Sequence, residues 1–191
     1  MIKSKEDLKE YLKIEKNNAY PYGKGIKYML LMRITKEHYY EIWKYIKYLR
    51  KSEYYMNTNR NKSTIRYIKY LYYERKKNKL GNKLGFYIPA NTFEKGLFIA
   101  HHGSIIINPM VHVGQNCILH GDVCIGNNGQ DNGAPQIGNN VDIGIGAKIL
   151  GDIKIGSNIK IGANAVVAKS FINDGGTIIG VPGKLLGGKI K

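Results

Sequence analysis

The chain has 191 residues and carries 30 Lys and Arg against 14 Asp and Glu, a formal net charge of +16. That length allows one or two domains with a sizeable core. Two cysteines without CxxC spacing exclude a zinc or disulfide framework, and no apolar run in the first 20 residues suits a signal peptide or membrane span, so a reducing, cytoplasmic setting is expected.

Taken in order, Ser4-Lys5-Glu6-Asp7 reads as an N-cap followed three residues on by an acid. It opens a helix to about Lys16, with Leu8, Tyr11, Leu12 and Glu15 at helical spacing. Pro21, Gly23 and Gly25 mark Asn17 to Gly25 as a loop. Thr35 is placed to cap a second helix from Lys36 to about Met56, where Tyr39, Ile42, Trp43, Ile46 and Leu49 or Arg50 repeat at three and four. A third helix, about Lys62 to Lys77, sets Ile65, Ile68, Leu71 and Tyr72 on one side. Lys44, Lys47, Arg50, Lys51, Arg66, Lys69, Arg75, Lys76 and Lys77 lie between these stripes. They read as a solvated face, or as one that meets a membrane or another anionic surface. No nucleic-acid motif accompanies them, and no nucleic-acid partner is expected.

Residues 1–95 hold 23 of the basic and 9 of the acidic residues, while residues 96–191 hold 7 and 5. All 15 Tyr lie at or before Tyr87 and 18 of the 23 Gly follow Gly96, so two different architectures meet near Gly81 to Gly96. The expected division is a basic, Tyr-rich helical domain over 1–84 and a second domain over 85–191.

The second domain beats in sixes. Steps of six from Ile107 to Ile179 land on an aliphatic residue at 11 of 13 slots, with only Asp131 and Asn173 as exceptions. Gly follows the slot at 114, 126, 138, 144, 156, 162 and 180. A helix of period 3.6 cannot set every sixth residue on one face. A parallel β-helix can, because each unit supplies a short strand and a turn, and stacked coils bury an aliphatic column. Ile137, Ile143, Ile149, Ile155 and Ile161 are expected in one such column.

The stretches IPANTFEKGLFIAHHG, APQIGNNVDIGIGAKILGDIKIGSNIKIGANAVVAKSF and GVPGK resemble the serine acetyltransferase branch of the hexapeptide-repeat acyltransferases. They are most similar to the short members associated with bacterial surface polysaccharides. The resemblance implies a left-handed β-helix, acetyl-CoA as co-substrate and a homotrimer. It places the catalytic histidine on His101. Acetyl transfer from a thioester to a hydroxyl needs a base near the attacking oxygen, and a neutral imidazole can take that proton. No acyl-enzyme is required, so Cys117 is not needed as a nucleophile. Counting back six from Ile107 sets His101 in an inward slot, where a buried structural histidine is expected unless the register stops short of it.

His102, His120 and Asp122 are the candidates for acceptor contacts, with Asp122 and Glu94 also candidates to orient His101. His112 is expected at a solvated turn. These histidines lack the spacing of metal ligands, and no metal is expected. For the coenzyme, the resemblance implies Gly126, Asn127, Gly144, Ile145, Lys160, Gly162 and Ala163, with Lys169 and Lys184 near phosphates. The glycines serve equally as turns without room for a Cβ.

Several family positions differ. The aspartate that orients the base falls on Phe86, the aspartate before the base on Ala100, and the Arg-His pair that binds serine near Gly133 and Ala134. A serine carboxylate wants a cation, whereas the loop NNGQDNGAP (127–135) is polar and suits a polyhydroxyl acceptor. The expected function is therefore an O-acetyltransferase acting on a sugar of a surface polysaccharide. L-Serine is the alternative acceptor, and a non-catalytic hexapeptide scaffold is a second alternative.

Overall fold

The computed structural model describes residues 1–19, 26–59, 63–130 and 133–187. Positions 20–25 of the expected first loop, Lys62 at the expected start of the third helix, and the Asp131 slot with Asn132 lie outside the described residues.

Four helices come first: α1 (Lys5–Asn18), α2 (Ile26–Thr35), α3 (His38–Asn57) and α4 (Thr64–Leu84). The capping box at α1 forms as expected. The Ser4 hydroxyl accepts from the Asp7 N–H at 2.9 Å, and the Asp7 carboxylate accepts from the Ser4 N–H at 3.0 Å. Helix α2 is absent from the sequence reading. Met32 is buried and Tyr28 and Met29 pack against the core, but Ile26, Leu30, Leu31 and Ile34 stay exposed, so its apolar residues run all round and no single stripe stands out. Thr35 therefore ends α2 rather than capping α3, its hydroxyl donating to the Leu31 carbonyl at 2.9 Å. The cap of α3 is Glu37, whose side chain accepts from the Tyr39 N–H at 2.7 Å. Helix α4 closes on Gly85 at φ 81°, a left-handed end that suits glycine.

Two residues assigned to the solvated basic face are buried: Lys77 and, fully, Arg50. Arg50 reaches Glu15 of α1 at 2.7 Å and Glu53 at 2.9 Å. It also donates to the carbonyls of Phe93 (2.8 Å) and Glu94 (2.9 Å). Burial alone would push Arg50 down, but the two carboxylates win and hold it above its ordinary value. One guanidinium thus ties α1 and α3 to the turn that opens the coil.

The rest of the chain is a left-handed parallel β-helix with three sheets. One carries Phe86–Tyr87, Ile105–Ile107, Cys124–Gly126, Lys148–Leu150 and Val166–Val167; the second, His112–Val113, Gln136–Ile137 and Lys154–Ile155. The third carries Phe98–Ile99, Ile118–Leu119, Asp142–Ile143, Lys160–Ile161 and Thr177–Ile179, closed by Lys184–Leu186 running antiparallel.

The inward isoleucines are buried as expected, but in three columns rather than one. Ile137 and Ile155 share a sheet, Ile143 and Ile161 a second, and Ile149 lies in the third. Six residues make one side of a triangle, so one full coil takes eighteen, and corners left-handed in φ complete it. Asn116, Asn140 and Asn158 occupy one corner at φ 55–58°, a region asparagine tolerates better than most residues. Their amides form a ladder, Asn116 donating to Asn140 at 3.0 Å and Asn140 to Asn158 at 2.9 Å.

The six-residue count slips at two places. Ile99, not His101, is the inward partner of Leu119, because the corner after Ile99 holds two extra residues. Near the end, Ile178 is the buried partner of Ile161 and Ile179 points out.

Candidate active site

The third sheet positions the site. Its inward row runs Ile99, Leu119, Ile143, Ile161 and Ile178, one residue per coil. The residues just after that row stack as well, so His120, Gly144 and Gly162 follow one another along the coil axis. The outward residues just before it give Ile118, Asp142, Lys160 and Thr177. A cavity of about 480 Å³ opens on this edge, lined by His101, His120, Gly144, Ile145, Lys160, Gly162 and Ala163, all singled out from the sequence. Asp142, Ile161 and Thr177 complete the lining and were not.

His101 stands exposed at the enlarged corner, which removes the expectation of a buried histidine. His120 Nε2 lies 2.8 Å from Asp142 Oδ1, and both side chains remain partly exposed. A carboxylate there fixes the tautomer and leaves Nδ1 as an acceptor. Asp142 was missed because it is the outward neighbour of His120 one coil later, and the loop at 127–135 lengthens that coil by six residues.

Other predicted residues fall elsewhere. His102 is exposed outside the cavity. The Asp122 carboxylate accepts the Ser104 N–H at 2.9 Å, and its carbonyl accepts from Lys148 at 2.6 Å, so it staples the His101 corner to the next coil. Glu94 is engaged by the amino group of Met1 at 2.7 Å and by the Tyr11 hydroxyl; neither acid orients His101. Gly126, Asn127, Lys169 and Lys184 do not line the cavity. Lys169 instead lies over the Phe171 ring at 5.5 Å. Cys117 is buried, and burial pushes its thiol well up, with Asp142 adding to the shift. Among the described residues no group of three His, Cys, Asp or Glu could hold a metal ion, and no helix is long and apolar enough to cross a membrane.

The glycines also serve the coil. A Cβ on Gly144 would come within 2.7 Å of the Ala163 nitrogen, backbone that cannot move aside. For a coenzyme, Lys160 offers a cation to phosphate and the half-exposed Ile145 an apolar surface to an extended arm. The residues present fit such a ligand.

Comparison with known proteins agrees with this geometry. The bacterial transferase hexapeptide (six repeats) family model matches residues 134–169. A serine acetyltransferase from Staphylococcus aureus is 40% identical over 100 residues, covering 51% of this chain and 46% of that protein. One from Synechococcus elongatus is 37% identical over 100 residues, covering 51% and 41%. The chain thus spans less than half the length of these curated relatives. Among solved structures, the serine acetyltransferase of Neisseria gonorrhoeae aligns at TM-score 0.68 and 25% identity, over 98% of this chain and 69% of that one. The Brucella abortus serine acetyltransferase in complex with coenzyme A aligns at TM-score 0.73 and 22% identity, over 96% and 69%. The repeat, the coil and the leading helices define a hexapeptide-repeat protein. Over residues 134–169 the chain is similar to the hexapeptide transferases, and over about half its length to serine acetyltransferases.

Proposed function

We propose that the chain transfers an acetyl group from acetyl-CoA to a hydroxyl, with His101 as general base. One observation carries this. A single cavity holds an exposed imidazole, a second imidazole fixed by a carboxylate, and, on the coils beyond, two glycines and a lysine. From the His101 coil to the Thr177 coil is four strand spacings, roughly 19 Å, room for an extended thioester arm. Acetyl-CoA supplies an activated acyl group. His101 takes the hydroxyl proton as the oxygen attacks the carbonyl, and returns it to the sulfur as the C–S bond breaks. Lys160, Gly144, Ile145, Gly162 and Ala163 hold the coenzyme. A homotrimer, implied by the resemblance, belongs to the same proposal.

For the acceptor, the names of the relatives favour L-serine over the sugar hydroxyl expected from the loop at 127–135. The chain lacks the Arg-His pair that a serine carboxylate would meet, since Gly133 and Ala134 stand there. Thiol release from acetyl-CoA decides the matter, measured with serine, homoserine and nucleotide sugars. Serine is expected to support release. Release only with a sugar restores the first acceptor, and none with any of them overturns the enzyme.

The Asp142 contact favours a second reading in which His120 is the base. Asp142→Asn separates the two. It lowers turnover about as far as His120→Ala if His120 is the base, and only mildly if His101 is.

A contact between the helices and an anionic surface also remains a proposal. Ile65, Ile68, Leu71 and Tyr72 of α4 are exposed beside its lysines. A second copy of so basic a region would be repelled, whereas a negative surface would be drawn to it.

A further inference from the structure

Among the described residues the proposed base has no carboxylate of its own. Phe86 stands where the resemblance leads one to look for it, buried and edge-on to Tyr45 with ring centroids 5.1 Å apart. The start of α3 supplies a different neighbour. Glu37 Oε1 is 2.5 Å from His38 Nδ1. The His38 ring stacks on His101, with centroids 5.8 Å apart and planes 28° apart, and meets His102 edge-on at 6.1 Å. The Tyr39 ring lies beside His38, tilted by 36°, with centroids 4.0 Å apart. His38 Nε2 is buried and has no hydrogen-bond partner among the described residues.

With its proton on Nδ1, toward Glu37, the neutral His38 ring keeps a lone pair on Nε2. Its face then lies within the ~6 Å over which an aromatic ring attracts a cation.

We infer that His38, anchored by Glu37, is the positioning residue for His101. Stacking holds the plane of the His101 ring, and the neutral face of His38 stabilises the charge that His101 gains on taking the hydroxyl proton. No bond forms or breaks at His38. The groups facing it are Glu37, Tyr39, His101 and His102. The inference rests on His101 being the base, and it gives the helical region a part in the chemistry of the coil.

The test is steady-state acetyl transfer by the full chain, read as thiol release, for His38→Leu and His38→Phe. His38→Leu fills the space without a ring and is expected to lower kcat roughly 2–30-fold, with KM for acetyl-CoA unchanged. His38→Phe keeps an aromatic face and restores most of the loss. If His38→Leu does not fold, His38→Met replaces it in the comparison. A folded aliphatic variant with native kcat, or a Phe variant no better than the aliphatic one, overturns the inference. His101→Ala at native turnover overturns it together with the base. An inactive His101→Ala beside a native His38→Leu overturns His38 alone.

Discussion

At the scale of single residues, His101 and Cys117 make opposite predictions. His101→Ala removes the proposed base and is expected to lower acetyl transfer by about 10²–10⁴-fold. Coenzyme affinity, read by calorimetry, should hardly move, because Gly144, Lys160 and Gly162 lie on later coils. Unchanged turnover by a folded His101→Ala excludes it as the base. Cys117, buried in the coil, should resist alkylation by a thiol reagent in the native state and react only on unfolding. Mass spectrometry of the native protein that finds Cys117 modified before Cys124 contradicts this. His101 shows where the sequence could mislead. The repeat is legible from Ile107 onward, but two extra residues at the corner break the count upstream, and counting alone cannot see an insertion. Asp142 stayed hidden for the same reason, since its link to His120 depends on how long the intervening loop is.

At the scale of elements, the α1–α3 packing hangs on Arg50. Removing it strands Glu15 and Glu53 in a dry interior, and breaking a buried ion pair from one side costs about 3–5 kcal/mol. Arg50→Ala should lose about that much in urea unfolding, and adding Glu15→Gln should recover part of it. Full stability in the single variant denies the clamp its role. The helical spacing that located α3 leaves Arg50 at the edge of the inward stripe and among the basic residues alike, because period alone cannot distinguish a long cation in solvent from one that finds two carboxylates. The capping box of α1 was legible because its partners are three residues apart. Helix α2 was not, because its exposed Ile26, Leu30, Leu31 and Ile34 hide the inward set of Tyr28, Met29 and Met32.

Across the whole molecule, the coil supplies most of the core and the coil was legible. Ile149→Asp buries a charge without a partner and should unfold the chain; an unchanged melting temperature contradicts the register. The proposed anionic contact predicts binding to vesicles containing phosphatidylserine that weakens as salt rises. It should be lost in Ile68→Asp/Leu71→Asp, and salt-independent binding counts against it.

The asparagine ladder has a wider consequence. Asn116, Asn140 and Asn158 keep their corner although the coil from Leu119 to Ile143 carries a six-residue excursion that the coil from Ile143 to Ile161 lacks. Register is kept by vertical neighbours rather than by chain length, so the frame is indifferent to what protrudes from it. The segment 127–135 then behaves as an exchangeable cartridge. Its length and chemistry can change without disturbing a single isoleucine inside.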